Sequence, residues 1–429
     1  MKKYNYSKLT NDEINNLLKR PSIRIEDTFE VVKPMLDNIK KNGLSAVKSY
    51  AEKFDNFSAK ELKVSQEEFE SAESELSNEI KNAIESAYKN IYKFHELQFP
   101  KSYEVETQNG IFCKREFKAI ENVGLYIPGG TAILPSTMLM LGIPAKIAGC
   151  KRIVAVSPAS EKIHPAILYA ANLCGIKEFY KVGGSQAIGL LAFGTKEISK
   201  VDKIFGPGNQ FVTASKMIVS MDADGCAVDM PAGPSEVLVI ADANANPNFI
   251  AADLLSQAEH GNDSQVILLT NSDSLIDAVE QVLLFQLENL DRKLFASEAL
   301  KNSFSLLFED INKAIDFSNQ YAPEHLIINC KNADEITAKI INAGSVFVGE
   351  YSLESVGDYA SGTNHSLPTY GFAKAYSGLS VEAFMKSITF QKLTFEGLKS
   401  ISKTVITLAE TEKLDAHANA VKIRIQNGN

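Results

Sequence analysis

Four short stretches carry side chains of the kinds that move protons or hold cations. In Ala322-Pro323-Glu324-His325 a carboxylate and an imidazole stand side by side at a loop-to-strand junction. Successive side chains there point in different directions, so Glu324 and His325 can address two faces of one substrate. Histidine is the usual general base near neutral pH, and glutamate becomes one when its pKa is raised. A capping Glu beside an ordinary His explains these residues equally well. Asp253-Leu254-Leu255-Ser256-Gln257-Ala258-Glu259-His260 reads as a helix with Asp253, Gln257 and His260 on one face. Such a stripe holds a metal or is simply a solvated face, and the second reading is the plainer one, because no other His follows at i+4 as in H-E-x-x-H. Spacing alone points to His260 and Asp253. Gly357-Asp358-Tyr359-Ala360-Ser361-Gly362-Thr363-Asn364-His365 is a polar loop holding an oxygen donor and a His, or else an ordinary turn. Glu412-Lys413-Leu414-Asp415-Ala416-His417 lies near the C-terminus, where a His is usually just solvated.

Three loops have the glycine content that lets backbone approach a ligand. Phe205-Gly206-Pro207-Gly208-Asn209 follows a predicted strand and precedes a helix starting near Phe211, whose N-terminus favours an anion. It lacks the full G-x-G-x-x-G fingerprint, and a tight strand-to-helix turn is its plainer explanation. Val182-Gly183-Gly184-Ser185-Gln186 and Tyr126-Ile127-Pro128-Gly129-Gly130 end predicted strands in the same way, where open α/β sheets bind ligands. Three such loops in one domain are a stronger signal than one. His95 and His164 read as surface or structural residues. Cys113 and Cys150 have no neighbouring His to activate them as nucleophiles and read as structural thiols.

Positioning these groups requires more than one core, because 429 residues exceed the size at which a single core stops growing. Residues 28–54 and 66–97 carry apolar side chains at three- and four-residue spacing and read as helices. From Val123 the texture changes. Short β-branched runs at 123–127, 153–156 and 201–205 are each followed by turn residues and a helical stretch, which means βαβ units and a largely parallel sheet. A second set follows at 237–240, 266–269, 326–329 and 346–348, with 333–343 as a crossover helix. The turn-rich Met230-Pro231-Ala232-Gly233-Pro234-Ser235 marks the boundary between the sets. Beyond about Ser380 the chain reads as helical again, and 414–425 is too short to bury a core alone, so it is expected to pack on something else, a second subunit included. No repeat of solenoid period occurs.

Lys plus Arg is 44 and Asp plus Glu 53, a net charge of −9 that repels a phosphate backbone and argues against nucleic acid as a partner. Residues 1–16 hold no apolar signal-peptide core, and no apolar run of membrane-spanning length occurs, so no membrane association and a cytoplasmic location are expected. The five cysteines are scattered and never form C-x-x-C, which fits reduced thiols.

Taken in order, Val123 to Gly130, Leu134-Pro135-Ser136-Thr137, Lys203 to Asn209, Asp229 to Glu236, Leu255 to Gly261, Ala322 to Leu326, Gly357 to His365 and Ala416 to Val421 resemble the histidinol dehydrogenases, strongly from Asn122 onward and more weakly before it. The resemblance implies two Rossmann-like α/β domains, an N-terminal helical region (1–24) and a helical C-terminal extension (380–429) that crosses to the partner in a homodimer. The first α/β domain would be discontinuous (25–125 and 236–379), with an NAD-binding domain (126–235) inserted into it. It implies zinc held by Gln257, His260, Asp358 and His417, the last completing the partner's site, and substrate contacts from Ser235, Glu412 and these same residues. Tyr126, Gln186 and Asn209 become NAD contacts. His325 becomes the general base, also touching substrate, and Glu324 the residue that activates water for a second oxidation. The implied reaction is the NAD-dependent oxidation of L-histidinol through L-histidinaldehyde to L-histidine, in histidine biosynthesis. Departures from the usual pattern are Leu353 where Pro is usual and Lys374 where Arg is common, and neither touches an implied role.

Three other readings compete: a zinc- and NAD-linked alcohol dehydrogenase with another substrate, a zinc hydrolase using Glu324 as base with no nucleotide, and a catalytically inert small-molecule binding protein. The number of NAD reduced per substrate separates the first, hydrolysis without NADH the second, and indifference to loss of His325 the third.

Overall fold

Apolar runs bounded by turn residues form strands covered on both faces, and here they assemble into two parallel sheets. The structure is a computed structural model describing residues 1–20, 25–58, 60–129, 133–231 and 233–426. Gly130 and Ala232 of the loops named above lie outside the described residues. The strands are, in chain order, β1 (Lys2–Asn5), β2 (Tyr103–Gln108), β3 (Ile111–Ala119), β4 (Asn122–Tyr126), β5 (Arg152–Ser157), β6 (Glu178–Lys181), β7 (Lys203–Phe205), β8 (Ala227–Val228), β9 (Glu236–Ala241), β10 (Gln265–Thr270), β11 (Phe304–Leu307), β12 (His325–Asn329), β13 (Ser345–Val348) and β14 (Met385–Leu393).

The first sheet runs β6-β5-β4-β7-β8, all parallel, so the strand order reverses between β4 and β7. The second runs β1-β11-β10-β9-β12-β13, also parallel, and reverses between β9 and β12. Both orders are those of doubly wound folds, whose crevices open at such reversals. Every residue of β9, β10 and β12 is buried, and apolar clusters line both faces of each sheet.

Outside this α/β frame the structure adds to the sequence reading. Residues 1–20, read as helical, begin with β1, which extends the second sheet beside β11. Helix Asn11–Leu17 follows, its start fixed by a capping box between Thr10 and Glu13. The helices of the N-terminal region, Ile25–Asn42, Leu44–Phe54, Gln66–Glu75 and Asn78–His95, were grouped in expectation with the second sheet, but their contacts run to helices flanking the first. Residues 385–393, read as helical, form strand β14, which pairs antiparallel with β3, itself paired with β2. The expected crossover helix of 333–343 is shorter, Ala333–Thr337. Helices Phe395–Thr411 and Asp415–Gln426 pack on each other at the C-terminus and are largely exposed. Among the described residues no helix is long and apolar enough to cross a membrane.

Candidate active site

In-register pairing of β9 with β12 brings the starts of these two strands together, and the second sheet's site is built on those starts, at the opposite end from the crevice that the reversal opens. His325 pairs in register with Val237, so Glu236, one residue earlier on β9, faces the Glu324-His325 step. Its main chain holds both members. The Glu236 amide donates to Glu324 Oε2 at 2.8 Å, and the Glu236 carbonyl accepts from His325 Nδ1 at 3.1 Å. A carbonyl only accepts, so Nδ1 carries the hydrogen, and in the neutral ring Nε2 is the basic nitrogen. Among the described residues Nε2 is buried with no hydrogen-bond partner and lies 3.5 Å from Asp358 Oδ1, an atom likewise buried and unpaired among them.

Glu236 is in turn fixed from far away in the chain. Arg20 grips its carboxylate with two parallel bonds of 3.0 and 2.9 Å, donates to the Ala322 carbonyl at 3.2 Å, and stacks 3.5 Å over the ring of Tyr321. Ala322 sits in the left-handed region at φ 54, a conformation a non-glycine residue holds only where its surroundings dictate it. The N-terminal segment thus braces the turn that presents Glu324 and His325.

Helix Pro247–Ala258 brings Gln257 to the same place, buried, with His260 at the site's mouth just beyond the helix end. Helix Glu354–Tyr359 brings Glu354 and Asp358, four residues apart and therefore on one face. His260, Glu354 and Asp358 each place a donor atom within 4.8 Å of the others. The amide oxygen of Gln257 points at the Glu354 carboxylate, a contact of like partial charges that a cation or a proton between them relieves; turned over, the amide nitrogen donates to Glu354 and its oxygen accepts from the Glu236 amide at 3.1 Å.

Electrostatics point the same way. Burial pushes Glu354 up to about 8, and burial likewise raises Glu324. Burial works against charging His325, yet Glu354, Glu324 and Asp358 outweigh it and hold its pKa well above the ordinary histidine value. Two buried carboxylates and the partly buried Asp358 around one imidazole thus call for positive charge, and a divalent cation bound by oxygen and imidazole donors supplies it while leaving His325 neutral and basic. The donor set therefore fits a metal. His260 is hemmed by protein although exposed, and partial loss of water lowers its pKa. Asp253, the spacing-based alternative, is buried and pushed up to about 7 by that burial, and it does not join the group of three.

Glu354 is the residue that the sequence reading missed. The signal was its spacing of four from Asp358, hidden because 357–365 read as a loop. His365 is structural here: its Nδ1 meets the Asp358 carbonyl at 2.9 Å and its Nε2 meets Thr137 Oγ1 at 3.2 Å, tying the site to the helix Pro135–Ala148 after β4. His95 is buried against Asn364 and the Ile91 carbonyl, and His164 caps the helix Pro165–Cys174. Burial pushes the thiols of Cys150, Cys174, Cys226 and Cys330 up to about 12, so none is a ready nucleophile. Ser235 stands immediately before β9 at the same edge. Glu412 and His417 do not reach it within one protomer: both are exposed on the C-terminal helical pair, and His417 is absent from the group of donors.

The glycine loops gather at the carboxyl edge of the first sheet. The Tyr126 hydroxyl, at the end of β4, accepts from the Gly184 amide at 3.1 Å, and Gln186 lies buried one turn on. Burial pushes Tyr126 up to about 12, so it stays a neutral phenol. Asn209 caps the helix Gln210–Met221 through its side-chain oxygen. Gly206 has φ 120, and a Cβ there would lie 2.2 Å from the Tyr126 carbonyl, so only glycine lets β7 leave this close to β4. Lys216 and Asp229, a buried ion pair, bind the carbonyl and the amide of Gly206 and lock that turn.

A family model described as Histidinol dehydrogenase matches residues 18–425. Two curated relatives named histidinol dehydrogenase are each 50% identical: a chloroplastic one from Arabidopsis thaliana, with 99% of this chain and 92% of the relative covered, and one from Vibrio parahaemolyticus, with 98% and 97% covered. The crystal structure of histidinol dehydrogenase from Elizabethkingia anophelis superimposes with a TM-score of 0.94 at 50% identity, covering 99% of this chain and 98% of that one.

Proposed function

Because this chain belongs to the histidinol dehydrogenase family, we propose that it carries out the full NAD-dependent oxidation of L-histidinol through L-histidinaldehyde to L-histidine, with zinc holding the substrate and one site serving both steps. The observation that carries this reading is the meeting of the Glu324-His325 pair with Gln257, His260, Glu354 and Asp358 at the starts of β9 and β12. Gln257, His260 and Asp358 would hold zinc, with His417 of the partner subunit as the fourth ligand. A zinc ion held there would supply an anchor for the substrate's nitrogen donors, and NAD would supply the hydride acceptor.

The chain's own residues divide the proton chemistry. His325 accepts the hydroxyl proton at Nε2, which the Nδ1 bond to the Glu236 carbonyl leaves as the lone-pair nitrogen. Glu324, fixed by the Glu236 amide, takes a proton from water as that water adds to the aldehyde carbon. Ser235 and Glu412 bind substrate, Glu412 by its charge. Tyr126, Gln186 and Asn209 hold NAD at the carboxyl edge of the first sheet. In this reading the nucleotide-binding unit is built on the first sheet, β4 to β8, with the N-terminal helices packed on it, and residues 236–379 form the unit that carries the second sheet.

A homodimer with shared sites accounts for the exposed C-terminal pair. Ile388, Phe390 and Leu393 of β14, Leu408 and Leu414 of the pair, and Ile423 are large apolar side chains facing solvent in one chain, and a second copy covers them. The reaction is placed in the cytosol in this reading, consistent with five free cysteines.

The shared site has a direct test. His417→Ala lowers bound zinc and reduces activity at least about 100-fold, the scale at which catalytic metal sites respond to loss of a supporting group. Mixed with a Glu324→Gln protein and allowed to exchange subunits, it regains a fraction of wild-type L-histidine formation, the product that neither parent makes at an appreciable rate, because one of the two sites in each heterodimer is then intact. Verified heterodimers with no regained activity would end the shared-site reading.

A further inference from the structure

A carboxylate from outside the inserted segment reaches the proposed nucleotide loops. Asp55, just past the helix Leu44–Phe54, accepts from the Gly183 amide and from Gln186 Nε2, both at 3.0 Å and both on its Oδ2. Gly183 is the N-cap of the helix Gly184–Phe193 and has no side chain to cap with, so a charge 128 residues away caps that helix for it. The anion-binding end of this helix is therefore taken by the protein's own acid, and a phosphate is excluded from it by like charge.

What Asp55 and Gln186 leave open here is acceptor oxygen. Gln186 has spent its amide nitrogen on Asp55, and its Oε1 lies over Gly184, where a Cβ would approach it to 2.9 Å. Asp55 Oδ1 takes no hydrogen bond from the described residues, and the donors that satisfy Oδ2 are neutral. Tyr126, whose hydroxyl accepts from Gly184, stands beside them with its own hydrogen free to donate. Two acceptor oxygens suit vicinal hydroxyls and disfavour a phosphate ester.

We infer that Asp55 is a cofactor-selecting residue: with Gln186 it receives the ribose hydroxyls of NAD and turns away the 2′-phosphorylated dinucleotide NADP. The inference rests on the proposed nucleotide role of Tyr126 and Gln186 and deepens it. Both bonds to Asp55 fall on one oxygen, so Asp55→Asn can keep the turn while replacing the open acceptor with a donor and removing the charge.

Steady-state kinetics of wild type, Asp55→Asn and Gln186→Ala with NAD and with NADP test it, with direct binding of NADH and NADPH to Asp55→Ser as a second reading. Asp55→Asn is expected to raise the KM for NAD about tenfold, the scale of one hydrogen bond to a charged group. Its kcat and its KM for L-histidinol stay within about twofold of wild type, and the preference for NAD over NADP in kcat/KM narrows about tenfold or more. Asp55→Ser narrows the NADH to NADPH affinity ratio in the same direction. An unchanged ratio in both variants, whether activity falls uniformly or not at all, makes Asp55 a prop for the turn and overturns the inference. An unchanged KM for NAD in Gln186→Ala removes the nucleotide reading of this loop itself.

Discussion

Replacing His325 with Asn lowers kcat for L-histidinol by about 10³-fold, within the range general-base catalysis contributes, while the KM for NAD stays near its wild-type value. The size follows from the geometry. Nε2 is a buried basic nitrogen with no protein partner, held in its tautomer by the Nδ1 bond to the Glu236 carbonyl, so nothing else in the pocket stands ready to take the hydroxyl proton. Asn can still donate to that carbonyl and disturbs the fold little, but it has no basic nitrogen. Asp358 is near but would hold the cation, and a cation-bound carboxylate is a weak base, while Glu354, pushed up to about 8 by burial, already carries its own proton near neutral pH. A kcat within about tenfold of wild type, with zinc content intact, would show that another group removes the proton.

Glu324→Gln separates the two oxidations. An amide oxygen in place of Oε2 still accepts from the Glu236 amide, so the variant keeps the local backbone and leaves the first oxidation nearly intact. It cannot take a proton from water, and conversion of L-histidinaldehyde falls by about 10²- to 10³-fold. The variant therefore releases or accumulates aldehyde, detectable by a carbonyl-trapping reagent, and forms about one NADH per L-histidinol consumed. Equal losses in both half-reactions would move Glu324 from water activation to general support of the site.

How much of this was legible beforehand follows from sequence distance. Glu324 and His325 are adjacent, so local spacing exposed them as candidates while leaving their roles open; spacing likewise pointed to His260, but with Asp253 beside it, and Gln257 was singled out only through the family resemblance. The alternation of strands and helices from Val123 gave two parallel sheets because a βαβ unit writes itself into consecutive residues. Glu354 was lost because the short helix carrying it merged with a polar loop in the reading. Arg20 and Glu236 are 216 residues apart, and Asp55 and Gln186 are 131 apart. Neither pairing has a local signature, since a buried carboxylate's partner is chosen by the fold. Strand β14 did carry a period of two in Ile388 and Phe390 amid polar neighbours, but an exposed strand lacks the apolar run that makes strands stand out. Which sheet the N-terminal helices cover was invisible for a similar reason: amphipathic periodicity says that a face is buried and not against what.

The proposed function rests on residues from the starts of β9 and β12 and from two helices meeting in one pocket, which a partner's C-terminus would complete and which would oxidise one substrate twice. Counting NADH formed per L-histidinol consumed by the wild-type protein, in sub-stoichiometric L-histidinol with excess NAD, tests it most directly. The account predicts about two NADH, falling to none when the metal is stripped with a chelator and returning with added zinc. One NADH per L-histidinol with the alcohol's aldehyde as end product, or two that persist in metal-free protein, would contradict it.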